Sequence, residues 1–364
     1  MPAFGVLSRY LARHFLFSLV LITVAILALV FTFETAELLR RAAAKPEATL
    51  DIVLRISLFK LPETLQRVLP FVILFSAQWA LWRLTRSHEL VIIRAAGLSV
   101  WQFLMPFLAL VALSGALYLT LINPLGATMI GEYRRLETRY LNRITTLDIS
   151  SAGLWLRQTD GDRSLLMHAE AAVQRDPLVL KPLMVLIYDS AGAYLGRLDA
   201  AEAVLRPDGW ELRDVWRNEK DQALTRQDVV RLPTSLSEST IEDSLAPPTT
   251  VSFVAMPGFI RALEALGLPA LRHRLEFHGL FAQPLLLLAM VLMAAVFSLR
   301  HIRQGGALTQ GLMCLAAGAT VFAMNSLVLA LGGAQTLPVI LAAWSIPMAA
   351  LLATAAALFH LEDG

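Results

Sequence analysis

Residues Ser87 to Ser99 read SHELVIIRAAGLS and fall between two long apolar runs. The stretch is thirteen residues long and carries one acid, Glu89, and one arginine, Arg94. It is too short to be a domain. Its expected form is a single short helix lying flat on a membrane surface, holding a carboxylate out to the water. The chain on either side is apolar enough to cross a bilayer: Pro62 to about Leu84 before it, Val100 to about Pro124 after it, with no charged residue between Arg94 and Glu132.

The same character governs the whole chain. Of 364 residues, 56% are apolar and only 16% charged, with a mean hydropathy of +0.60. Soluble globular chains are nearer a quarter charged. The net charge of +2 gives no reason to expect a nucleic-acid partner. Phe15 to Phe33 is a first span, too long for a signal-peptide core. Leu50, Val53, Leu54, Leu58 and Leu61 recur at helical spacing among Asp51, Arg55 and Lys60, so Thr49 to Leu61 is predicted to be an interfacial amphipathic helix. Pro62 is then expected to open span 2 from a first-turn position. Span 4 is Phe277 to Leu299. Gln304 to Leu361 has no Lys, Arg, Asp or Glu and is predicted to hold two more spans, divided at Gly332-Gly333 to Pro338.

Between the two groups of three spans the composition changes. From Asn123 to Glu276 there are 18 Lys and Arg against 21 Asp and Glu, a net of −3. Short apolar or alternating runs follow one another: Gly153 to Gln158, Ser164 to Glu170, Pro182 to Ser190, Ala193 to Asp199 and Gly209 to Trp216. Asp160-Gly161-Asp162, Ala191-Gly192 and Pro207-Asp208-Gly209 punctuate them. Strands at about ten-residue spacing predict a β-sandwich or jelly roll. Pro257 to Leu266 is predicted to be a short amphipathic helix leading back to the membrane. The expected division is 1–131 for spans 1 to 3, with the surface helix at 87–99; 132–255 for the β-domain; 256–276 for a connecting helix; and 277–364 for spans 4 to 6.

Arginines in short loops set the orientation. Arg9 and Arg13, then Arg83, Arg86 and Arg94, then Arg300 and Arg303 place both termini inside and the β-domain outside. Arg40, Arg41, Lys45, Arg55, Lys60 and Arg67, around the segment between spans 1 and 2, run against this, and that external cluster needs another explanation. Arg40 and Arg41 follow span 1, Arg134, Arg135 and Arg139 follow span 3, and Arg272, His273 and Arg274 precede span 4. Guanidinium groups bind phosphate in bidentate fashion, so these clusters suit an anionic headgroup. They equally suit interfacial anchoring or pairing with Glu34, Glu37, Glu132 and Glu137.

Chemistry on the chain itself is not expected. There is no G-x-x-x-x-G-K-[ST], no G-x-S-x-G and no H-E-x-x-H. Gly305-Gly306 lacks a following Lys, and the one cysteine, Cys314, lies in an apolar run. No metal site or cofactor is expected. His273 and His278 are expected to serve as interfacial anchors. Glu89 suits a charge-assisted bond to a partner's arginine, or a weak pair with a neighbour such as Arg86. Ala95-Ala96-Gly97 is either a patch where another surface approaches closely or the end of a helix with Gly97 as its terminal glycine. The β-domain is either open at an edge that accepts another strand or closed and purely structural.

Four segments carry a family resemblance: Met1 to Phe15 (MPAFGVLSRYLARHF), Arg86 to Phe103 (RSHELVIIRAAGLSVWQF), Ser151 to Gln158 (SAGLWLRQ) and Leu280 to Arg300 (LFAQPLLLLAMVLMAAVFSLR). In this order they resemble the LptF/LptG (YjgP/YjgQ) permeases, and the first, third and fourth favour the G subtype. The resemblance spans the chain, including its 3 + β + 3 layout. It implies a membrane α-helical bundle of six transmembrane helices with an inserted periplasmic all-β jelly-roll-like domain, in a bacterial inner membrane with both termini cytoplasmic. It also implies a heterodimer with an LptF-like permease above an LptB-like ATPase dimer that holds ATP and Mg. Lipopolysaccharide would enter between the bundles and pass to an LptC-like membrane-anchored jelly roll, then an LptA-like bridge. Span 1 of a G subunit would border a lateral gate where the LptC helix inserts.

Carried over by position, the family's coupling-helix acid falls on Glu89, with the helix from about Ser87 to Gly97, and the basic pair ending span 1 falls on Arg40 and Arg41. Arg94, Ala95 and Gly97 lie on the same coupling segment. Arg134, Arg135, Arg272 and Arg274 are assigned to headgroup contact from position alone. Where G-type chains can carry Lys near the end of span 1, this chain has Glu34. Acyl chains would meet the Leu, Val and Phe faces of spans 1 and 5. The sequence thus supports a permease subunit of an ATP-driven lipopolysaccharide extractor. The rivals are a membrane-anchored periplasmic scaffold and a mechanotransmitter that moves no lipid.

Overall fold

The computed structural model describes residues 2–43, 45, 48–137, 140, 154–160, 163–173, 178–189, 192–206, 209–219, 223–234, 247–265, 269–299 and 307–363. Arg139, Gly153, Gly161-Asp162, Ala191, Pro207-Asp208, Leu266, Arg300, His301, Arg303 and Gly305-Gly306 lie outside them, as does the side chain of Arg94.

The chain divides into two compact units. One comprises Met1–Tyr133, Val251–Val254 and Arg274–Gly364; the other comprises Arg134–Thr250 and Ala255–His273. The first is a helical bundle. Its helices are α1 (Pro2–Ala42), α2 (Leu50–Arg86), α3 (Glu89–Ala95), α4 (Val100–Leu117), a π-helical turn (Tyr118–Ile122), α5 (Asn123–Leu136), and, after the sheet, α7 (Leu271–Leu299), α8 (Ala307–Gly333) and α9 (Val339–Asp363). Among the described residues, six helical segments are long and apolar enough to cross a membrane, three before the sheet and three after it, as expected. α7 is the most enclosed. Its Ala289, Met290, Val291, Ala294 and Ala295 pack with Leu74, Leu81, Phe103 and Phe107, and α1 and α8 present most of their length outward.

Two expected span boundaries are corrected, both at prolines. Thr49 to Leu61 is not a separate surface helix, and Pro62 does not start span 2; both belong to the single helix α2. An interior proline removes one backbone bond and costs about 3 kcal/mol. The preceding turns offset that cost because they are packed, not floating. Val53, Ile56 and Ser57 are fully buried. Ser57 also accepts a hydrogen bond from Thr35 of α1 at 3.0 Å, and Lys60 pairs with Glu34 of α1 at 2.7 Å. The Glu63–Arg67 pair forms one turn further on. Span 3 likewise continues beyond Pro124, through α5 to Leu136. The π-helical turn just before it shifts the ladder, with the Asn123 N–H reaching the Tyr118 carbonyl, at the point where Pro124 has no N–H to give.

The second unit is built on one antiparallel sheet: β1 (Leu154–Asp160), β2 (Arg163–Val173), β3 (Val179–Asp189), β4 (Tyr194–Arg206), β5 (Gly209–Glu219) and β6 (Thr225–Leu232). The strands pair in chain order. Registers such as Leu165↔Ile187, Val185↔Leu198 and Ala203↔Leu212 align the apolar residues on one face. Leu165, Met167, Leu180, Leu183, Val185, Leu198, Trp210, Leu212 and Val215 form that core, covered in part by Leu263 and Phe259 of α6 (Met256–Ala265), the amphipathic helix expected there. β6 (TRQDVVRL) carries no strand signal in the sequence, because its first five residues are all exposed and it needs no apolar alternation. Side-chain bonds also link β1 to the chain just after β6. Gln158 of β1 is buried, donates to the Pro233 carbonyl at 3.1 Å, and accepts from the Thr234 hydroxyl at 2.8 Å. Among the described residues, this side-chain clasp joins β1 to the residues just after β6.

Candidate functional site

The geometry of Ser87 to Ser99 follows from its two ends. α2 closes at Arg86, and the Ser87 N–H and hydroxyl both reach the Arg83 carbonyl. His88 then takes a left-handed conformation (φ 58°), which turns the chain into α3. Gly97 (φ 79°) ends it; a residue without Cβ adopts that conformation at little cost. Ser99 opens α4 with a capping box: its hydroxyl accepts from the Gln102 N–H at 3.2 Å, and the Gln102 side chain accepts from the Ser99 N–H at 3.1 Å. At the same corner Glu362 of α9 accepts from the Val100 N–H at 3.0 Å. The helix itself is seven residues, shorter than the expected 87–99 segment, because both flanks are turns.

α3 is amphipathic in an inverted sense. Leu90 and Ile93 are buried among Leu11, Phe15, Leu84 and Val100. Val91 (62% exposed) and Ile92 (67%) point outward. Ala95, Ala96 and Gly97 are exposed too, and a Cβ placed on Gly97 would meet nothing within 4 Å. Both readings of this small-residue run are therefore compatible: it ends the helix, and it leaves a low, open surface. Glu89 stands at the first residue of α3 and accepts a hydrogen bond from the Tyr10 hydroxyl of α1 at 2.8 Å.

The basic residues fall in two places. Arg40 and Arg41 end α1, strongly exposed, and both bind Glu37. Arg40 donates to its two oxygens at 2.8 and 2.7 Å, and Arg41 donates at 2.9 Å. The three charges sum to +1. Glu34, the departure noted above, pairs with Lys60, so α2 supplies a cation where α1 carries an acid. Arg274, exposed, also belongs to the helical unit. Arg134, Arg135 and Arg272 belong to the other unit. Arg134 is half-buried, with its Nε bonded to nothing among the described residues, while Arg135 and Arg272 are exposed. His273 is buried against Phe259, ring centroids 5.1 Å apart, which replaces the expected interfacial anchor with a core side chain.

Sequence reasoning missed a polar chain inside the bundle. Tyr118, in the π-helical turn, donates to Gln66 of α2 at 2.8 Å, and Gln66 donates to Glu276 of α7 at 2.9 Å. Gln283 reaches the Gln66 carbonyl at 3.3 Å. Glu276 sits at the edge of an apolar run, and in membrane-spanning segments such groups are held by partners; that was the available signal. The solvent face of the sheet is a charge ladder. Lys181 (2.8 Å) and Arg213 (3.0 Å) hold the Glu202 carboxyl below the usual carboxylate range. Arg213 (2.8 Å) does the same for Glu211.

Six helices long and apolar enough to cross a membrane, a short helix between two of them and an inserted antiparallel sheet define the architecture of a multi-pass membrane protein. The family model described as lipopolysaccharide export system permease LptF/LptG matches residues 9–360, nearly the whole chain, and the chain belongs to that family. Its role is accordingly that of a permease in lipopolysaccharide export. Comparison with curated proteins finds no match.

Proposed function

We propose that this chain is the G-type permease subunit of an ATP-driven complex that extracts lipopolysaccharide from the outer leaflet of a bacterial inner membrane. It pairs with an F-type permease, above an ATPase dimer that binds ATP and Mg. Its β-domain lies in the periplasm and hands the lipid to membrane-anchored and soluble jelly-roll partners. The observation that carries the reading is α3: a short helix fixed by Leu90 and Ile93, with Val91, Ile92 and the Ala95-Ala96-Gly97 surface directed away from the bundle beside a partly exposed Glu89. Exposed apolar side chains around one carboxylate suit a protein partner better than open water. Closing of the ATPase dimer moves α3, and the bundle narrows around the lipid. Reconstitution of the co-purified complex in proteoliposomes tests this. Lipopolysaccharide should stimulate ATP hydrolysis and leave the membrane for an acceptor jelly roll; stimulation without lipid release favours the mechanotransmitter.

At the other end of α1, Arg40 and Arg41 meet the lipid phosphates. Glu37 orients both guanidinium groups and neutralises only one charge. Each arginine near an anionic surface contributes about 1 kcal/mol. Arg40→Asp with Arg41→Asp should therefore reduce lipid occupancy at least ~30-fold, read as photo-crosslinking of lipopolysaccharide from a probe on the adjacent turn. Unchanged crosslinking assigns the pair to anchoring.

A further inference from the structure

We propose that Tyr10 is a positioning residue for Glu89, and that its hydroxyl ties α1 to α3 so that the two move together. The inference rests on the coupling role proposed above for Glu89. Three features carry it. The first is the bond itself, 2.8 Å from the Tyr10 hydroxyl to Glu89 Oε2, between residues 79 apart in the chain.

The second is that both ends of the bond are fixed. Leu11 and Phe15 are buried in the bundle core and set the register of α1, and the Tyr10 ring stands edge-on to His14 at 4.3 Å. On the other side Leu90 and Ile93 enter the same core. A helix of seven residues has little stability of its own, and Glu89 is its first residue, directly after the left-handed His88. Without the phenol nothing among the described side chains bonds the carboxylate.

The third is the chemistry of the donor. A phenol orients a carboxylate without neutralising it. A lysine or arginine at position 10 would spend the charge inside the chain. Tyr10 occupies one oxygen and leaves the negative charge for a cationic partner group.

The consequence reaches further than the local bond. α1 has no Gly or Pro after Gly5, so Tyr10 and Arg41 lie on one uninterrupted helix about 45 Å apart. A displacement of α3 is passed through Tyr10 to the end of α1 that carries Arg40 and Arg41.

The test uses the full complex in nanodiscs, with Tyr10→Phe, Glu89→Ala and the double variant. Two quantities are read: the affinity of the ATPase for the permease pair, and the hydrolysis stimulated by lipopolysaccharide. Tyr10→Phe keeps the ring and removes only the hydroxyl. It should weaken both readouts by about threefold to tenfold. Glu89→Ala removes the acceptor, so adding Tyr10→Phe to it should cause no further loss of ATPase affinity. Tyr10→Phe equal to the unmodified protein while Glu89→Ala is impaired overturns the proposal, as does an additive double variant. If Glu89→Ala itself is unimpaired, it is the coupling role of Glu89 that fails.

Discussion

Glu89→Ala is expected to abolish lipopolysaccharide-stimulated ATP hydrolysis while leaving the permease folded. The two halves of this expectation have different physical sources. Within the chain, Glu89 is partly exposed and its one bond among described side chains is to a neutral phenol. Losing that bond costs roughly 1 kcal/mol of stability, and Leu90 and Ile93 still seat α3 in the core. Against a partner the arithmetic differs. A carboxylate covered by a second protein and bonded to a guanidinium leaves that cation buried and unpaired when it is removed, at a cost of about 2–5 kcal/mol. That is at least a ~30-fold loss of productive complex. The measurements are co-purification of the ATPase and stimulated hydrolysis in proteoliposomes. Full lipid export by Glu89→Ala would sink the coupling role. A variant that no longer accumulates would mean that Glu89 holds up the fold.

The parts that sequence reasoning located and the parts it missed separate by the range of the interactions involved. The six spans were legible because a bilayer demands about twenty apolar residues in a row, a purely local property. The runs that form β1 to β5 were legible in their apolar or alternating pattern, while the first five residues of β6 are all exposed and impose no such pattern. Pro62 and Pro124 misled because a proline is a local stop signal only where nothing else holds the helix. Here Val53, Ile56 and Ser57 are buried, Ser57 bonds Thr35 of α1, and a π-helical turn precedes Pro124. Glu89 stood out as the one acid in an apolar neighbourhood. Its partner Tyr10 did not, since a tyrosine near a membrane surface is ordinary and the two are 79 residues apart. Gln66, Tyr118 and Glu276 were hidden for the same reason: their hydrogen bonds cross three helices far apart in sequence.

Gly209→Val is expected to destabilise the β-domain by about 3–5 kcal/mol while the helical unit keeps its structure. The Pro207-Asp208-Gly209 turn signal marks a place where two constraints meet. Gly209 has a φ of 144°, a region that side-chain-bearing residues rarely occupy, at a cost of about 1–3 kcal/mol. A Cβ there would also lie 2.4 Å from the Leu232 carbonyl oxygen and 3.2 Å from Pro233 Cα. Those are backbone atoms, so no side-chain rotation relieves the contact; the end of β6 must move. Two dependents move with it. Leu232 is the register partner of the fully buried Trp210, and Pro233 and Thr234 hold Gln158 of β1. Strain, a broken ladder end and the lost clasp together cost about 3–5 kcal/mol, against a domain stability of about 5–15 kcal/mol. Hydrogen exchange of the full-length protein in detergent should show lost protection in β4 to β6 and none lost in α2 or α7. Gly209→Ala carries the same Cβ and should move in the same direction. If it exchanges like the unmodified protein, the contact with Leu232 is not what makes glycine necessary there.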